Sequence, residues 1–169
     1  MTRLLPGRDR ILSRTRAFLV LSAAVVVLVV LVVAVVWGVR AADRHHTVDD
    51  NRMSLRAHAG QIVATVFTVD RAHWEADRAR AREVIGGDFA STFATALRSP
   101  PADGTAAVTW SPGTVALIDV DTESGAALIR SNVVTRTDDG HEETTARTVR
   151  AGFVRHGEGW LLTSAEVIT

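Results

Sequence analysis

The chain contains no cysteine and no tyrosine, and its basic side chains apart from histidine are all arginine, with no lysine. Without cysteine there are no disulfides, no thiolate metal sites and no iron–sulfur clusters, so any part outside the cytoplasm must stand on its hydrophobic core. Without a thiol nucleophile or a phenol to act as oxyanion partner, two common routes to catalysis are closed. A net formal charge is also missing, since the sum is +0. That zero is made of opposites: Arg3, Arg8, Arg10, Arg14 and Arg16 outweigh Asp9 at the start, and the later part carries a small excess of acids. A nucleic-acid partner is therefore not expected for the later part.

What the chain does have is one long apolar run. From Ala17 and Phe18 through Trp37 to Val39 there is no charged residue. At about 1.5 Å per residue such a run spans a hydrocarbon core of roughly 30 Å as a helix. Its valines are mediocre helix formers in water, but in lipid each backbone group must be bonded within the segment. The arginines before it and the mixed charges after it (Arg40, Asp43, Arg44, Asp49, Asp50) keep the N-terminus cytoplasmic and the rest outside. Val39-Arg40-Ala41 loosely resembles a signal cleavage site, but the run exceeds the apolar length of a signal peptide, which favours an uncleaved anchor. Trp37 fits the outer interface. The expected organisation is a basic cytoplasmic tail (1–16), a transmembrane helix (17–39), a juxtamembrane linker or helix start (40–53) and one extracytoplasmic domain (54–169), in the cytoplasmic membrane.

Helical signals come first in the outer domain. Thr47-Val48-Asp49-Asp50 has the form of a capping box, followed by Leu55, Ala59, Ile62, Val63, Val66 and Phe67 at helical spacing. Trp74, Arg78, Ala81, Val84 and Ile85 form a second stripe. Gly86-Gly87 suits a left-handed helix end, and Asp88 suits the cap of a third helix bearing Phe89, Phe93 and Leu97. Ser99-Pro100-Pro101 stops helix formation. Strands are expected at 114–120, 126–135, 143–155 and 160–168, joined by short turns, with Asp139-Gly140 as a tight reversal needing positive φ at its centre. Helices followed by an antiparallel meander of about four strands give an α+β fold, with the helices packed on one face of a curved sheet.

Candidate chemistry is sparse. His45, His46, Asp49 and Asp50 do not converge as metal ligands, because neighbouring helical residues point to different sides. His73, Glu75 and Asp77 read as a polar surface, and His141, Glu142 and Glu143 as an exposed turn. Gly86-Gly87-Asp88-Phe89 resembles the signature of cyclic-dinucleotide synthases, but it lacks the Glu and lies between helices. Asp119 and Asp121 share one strand face, with Ile118 and Val120 on the other, so the acids and Glu166 are expected in solvent. Arg147, Arg150 and Arg155 are expected to pair with acids across strands. Trp160, after a Gly-Glu-Gly turn, is expected to close the core beside Phe89 and Phe93. No catalytic, cofactor or metal residues are assigned.

The basic tail, the single apolar helix, Asp70 and Gly87-Asp88-Phe89 in the helical half, the four strands and the closing Gly157-Glu158-Gly159-Trp160-Leu161-Leu162-Thr163-Ser164-Ala165-Glu166-Val167 resemble the Mce-associated membrane proteins of actinobacteria. The resemblance implies a non-enzymatic accessory that stabilises or assembles an Mce-type lipid or sterol import complex. It implies Mce-family and permease proteins and membrane lipid as partners, and leaves self-association open. It also implies an outer domain with the cone-shaped fold shared by nuclear transport factor 2, SnoaL-like enzymes and the periplasmic scaffold of type IV secretion. The alternatives are a lipid-binding module, with its cavity between helices and sheet, and a SnoaL-like enzyme.

Overall fold

The computed structural model describes the backbone of residues 14–168 and, among these, the side chains of residues 27–35, 37 and 46–168. The chain divides into two units, Met1–Arg44 and His45–Thr169. Helix α1 runs from Arg14 to Phe67. In the first unit its large apolar side chains from Val27 to Val33, with Val35 and Trp37, are all at least 50% exposed. Ala17, Phe18 and Val39 of the expected anchor lie outside the described side chains. Among the described residues no helix is long and apolar enough to cross a membrane.

The second unit is α+β. After α1 come β1 (Val69–Asp70), α2 (Trp74–Glu83), α3 (Gly87–Phe93) and a 3₁₀ turn (Ala96–Arg98). Four long strands follow: β2 (Thr105–Val120), β3 (Ser124–Thr137), β4 (Glu142–His156) and β5 (Gly159–Ile168). The sheet is an antiparallel meander in the order β1-β2-β3-β4-β5. Its core face meets α1 through Leu55, Ala59, Ile62, Val63 and Val66, which pack with Val120, Ala127, Ile129, Val149, Ala151, Phe153, Trp160 and Leu162. The α1 residues recur at the spacing of one helix face, and Ala127, Ile129, Val149, Ala151 and Phe153 alternate along β3 and β4, so both periodicities point into the same core.

Several expectations need correction. The sheet has five strands, because β1 pairs Val69 with Val108 and Asp70 with Ala107; two residues are too few to show an alternating pattern. Strand β2 begins at Thr105 rather than 114 and carries Pro112-Gly113 within it, accommodated by a break in register between Pro112 and Val115. A further break between Leu117 and Asp119 takes up one residue and reverses the side-chain alternation. Ile118 is therefore 47% exposed while Val120 is buried, and the two do not share a face.

Thr47 lies inside α1 rather than at a helix start. The cap of α3 is Gly86 and not Asp88, which sits in the first turn; Gly87 takes the left-handed conformation at φ 59°. The reversal at Asp139-Gly140 is wider than two residues. Gly140 N–H bonds to Thr137 C=O (3.0 Å), Thr137 N–H bonds to His141 C=O (2.9 Å), and among the described residues positive φ occurs only at glycines, here Gly140. That is the pattern of a type I turn closed by a glycine bulge.

Candidate functional site

A polar concavity lies between the end of α1, α2 and the middle of β2. It has a volume of about 340 Å³, and its walls include Gln61, Thr65, Thr68, Asp77, Arg80 and Trp110. Asp77 is the surprise. It is 8% exposed, accepts the Asp70 N–H at 2.8 Å and pairs with Arg80. The surface reading of His73, Glu75 and Asp77 holds for the first two, which are exposed, and fails for Asp77. On α2, Asp77 lies three residues after Trp74 and four before Ala81, on the side that Ala81 buries, so the helical stripe carried the signal.

Around Asp77 the chain is tied by charged groups. Asp70 accepts the Ala72 N–H (2.8 Å) and meets Arg136 at 3.3 Å, while Arg71 donates to the carbonyls of Thr105 (3.0 Å) and Ala102 (2.6 Å). Asp70 thus ties β1 and its following turn to β3, and Asp77 ties β1 to α2, so both carboxylates are engaged. Burial holds the Arg78 guanidinium below its usual range, against the opposing pull of Asp77, and its Nε is buried without a partner.

Trp160 is 4% exposed, and its neighbours differ from those expected. Its indole N–H donates to Ser54 Oγ on α1 at 3.2 Å, and the Arg155 guanidinium lies 5.3 Å from its ring centroid. Phe89 and Phe93 instead stack on each other at 5.0 Å, and Phe93 meets Phe67, which meets Trp110. Arg155 therefore partners an indole and Ser54 (3.3 Å), and none of Arg147, Arg150 and Arg155 closes an ion pair with a carboxylate among the described residues. Asp119, Asp121 and Glu166 are exposed as expected.

The histidines and acids form no cluster of metal-ligand type among the described residues. The centre between the layers is filled, with Leu55, Val63, Val66, Ile129, Val149 and Leu162 at 0% exposure and Phe153 at 2%, while an open recess of about 250 Å³ lies between α1 and the start of β5, lined by Ile62, Thr65, Val84 and Trp160. Sequence reasoning missed Asn51, which is buried and donates through Nδ2 to the carbonyls of Asp121 (3.0 Å) and Thr122 (2.9 Å). Its place four residues before Leu55, on the apolar stripe, was the available sign.

No family model matches the chain, and no curated protein matches it. Among solved structures it is similar to an IcmL-like type IV secretion system protein from Legionella pneumophila subsp. pneumophila str. Philadelphia 1, with a TM-score of 0.54 at 16% identity, covering 69% of this chain and 91% of that one. The likeness is one of fold.

Proposed function

We propose that this chain is a non-enzymatic, single-pass accessory protein of the cytoplasmic membrane, whose outer domain docks on and stabilises a membrane transport assembly of the Mce lipid-import type. The observation that carries the reading is the apolar helical segment. Val27 to Val33, Val35 and Trp37 cover every side of a helix and are all at least 50% exposed. A helix apolar all round calls for a non-aqueous surrounding. Ala17 to Val39 supply the length in sequence, and the arginine-rich tail supplies the orientation.

The domain supports an accessory role by what fills it. Its interior is occupied by side chains, and its buried carboxylate is bonded to a backbone amide and to Arg80. The fold likeness to a type IV secretion protein is in keeping with an outer domain that serves an envelope machine. The cone-shaped SnoaL-like form and the link to Mce proteins remain part of this proposal.

Two experiments test it. A reporter active only outside the cytoplasm should work when fused after Thr169 and fail when fused at the N-terminus; the reverse would overturn the compartment argument. Gentle solubilisation and pull-down of the full chain should recover Mce-family or permease subunits, and recovery of none would remove the transport assignment.

A further inference from the structure

The sheet has two edges, and they are treated differently. Along β2 the edge is blunted. It carries β1, the Trp110 N–H bonds to Thr68 Oγ1 at 3.0 Å, Pro112 offers no N–H, and the register breaks repeatedly. Along β5 only the first half is covered: Leu162 N–H donates to Val84 C=O and Leu162 C=O accepts from Gly86 N–H, both at 2.9 Å. From Gly87, which lies against the Thr163 side chain, α3 packs beside β5 and brings Phe93 onto Phe67 of α1, without a backbone bond to β5 beyond Leu162. Beyond Leu162 no group outside β4 bonds to the β5 backbone among the described residues. Neither proline nor lysine guards this part of the edge, which carries a one-residue bulge at Thr163 and the exposed acid Glu166.

The register tells which groups are free. Leu162, opposite Phe153, turns its peptide groups away from β4, and the shift between Gly152 and Phe153 takes up one residue. The outward orientation then recurs at Ala165 and Val167, opposite Ala151 and Val149. Val167 and Ile168 beside them are 46% and 43% exposed. A second copy of this edge fits badly in the registers that use Ala165. Pairing Ala165 with Val167 of the copy, and the reverse, sets Glu166 directly against its own copy, a like-charge contact that destabilises. Centring the pair on Ala165 avoids that contact but sets Val167 against Thr163, whose peptide groups the bulge has turned away.

We infer that the Ala165–Val167 edge of β5 is a docking site for an extended segment of a different protein, which adds as a strand and places an arginine or lysine opposite Glu166. Main-chain bonds at Ala165 and Val167 hold the segment, and the exposed acid selects its charge. This deepens the accessory reading and rests on it for a partner. The test uses the full chain in detergent micelles, observed through its amide resonances, with capped seven-residue peptides alternating valine and threonine around a central arginine or a central glutamate.

The arginine peptide should shift the Ala165 and Val167 amides, slow their hydrogen exchange, and bind about tenfold tighter than the glutamate peptide. Glu166→Arg, at an exposed site, should invert the order. Ala165→Pro removes an outward N–H while sparing the β4 ladder and should abolish binding; should it fail to fold, the inversion by Glu166→Arg decides. Equal binding of the two peptides, no shift at millimolar peptide, or a Val167 amide protected in a concentration-dependent way without peptide, as a second copy would cause, would overturn the inference. If Glu166→Arg still recovers transport subunits in pull-down, this edge fails while the accessory role stands; if the unaltered chain recovers none, the role itself fails.

Discussion

Trp160 donates its indole N–H to the Ser54 hydroxyl at 3.2 Å, joining the start of β5 to α1. The ring is nearly sealed from solvent, and Arg155 closes over it. Trp160→Ala should therefore cost about 3–5 kcal/mol, a large part of a domain stability of about 5–15 kcal/mol. Ser54→Ala, which removes the shared acceptor and leaves the indole N–H buried, should cost about 1–3 kcal/mol. Urea unfolding of the two variants checks both; an unchanged midpoint for Trp160→Ala would assign the residue to an interface rather than to the core.

Gly125 faces Leu55. A Cβ at Gly125 would stand 2.5 Å from Leu55 Cδ2, inside contact distance, and Leu55 is at 0% exposure with nowhere to retreat. Gly125→Ala should cost about 1–3 kcal/mol through overpacking. Shortening the neighbour relieves the clash, so the Gly125→Ala, Leu55→Val double variant should be more stable than the sum of its single changes by about 0.5–2 kcal/mol. Strict additivity in a double-mutant cycle would show that the two side chains do not compete for this space.

The α+β class, the three hairpin turns that join the long strands and most of the core were legible because each follows from a local or repeating pattern. The stripe from Leu55 to Val66 and the alternation through Ile129 and Val149 both run long enough to declare their period. What was not legible was set by single residues. One extra residue near Ile118 reverses the faces of β2, and two residues at Val69–Asp70 become a strand only because β2 lies beside them. At the cleft, Asp77 read as surface because charge was given more weight than its place on the stripe. The polar partners of Trp160 and Asn51 are separated from them by more than 65 positions, beyond any local signal.

Asp77 accepts the Asp70 backbone N–H while pairing with Arg80, so one buried carboxylate serves both β1 and α2. Asp77→Ala leaves that amide without its acceptor and should cost about 1–3 kcal/mol. Asp77→Asn keeps an oxygen for the amide and gives up only the pairing with Arg80, whose side chain is 63% exposed, so its cost should be the smaller. Thermal melts of the two variants rank the effects. Equal losses in the two variants would place the weight on the ion pair.

Asp139 gives the chain a dependence on pH at the β3–β4 turn. Its carboxylate accepts from the Thr137 hydroxyl and, at 3.2 Å, from the His141 N–H. The Thr137 bond first, and the His141 amide second, hold it below the usual aspartate range. Both donors favour the charged form, so the stabilisation is fully present above the ordinary aspartate pKa of about 3.9 and is lost as pH falls through the lower native value. Asp139→Asn should therefore be less stable than the unaltered chain at neutral pH, and the difference should shrink once the native carboxylate protonates. Denaturation at a series of pH values measures that difference, and a carboxyl resonance titration locates the midpoint. A midpoint at or above the ordinary value, or a difference that grows in acid, would show that the turn does not draw on the charge. Thr137→Val, which removes the first donor and keeps the side-chain shape, should move the midpoint back up toward the ordinary range.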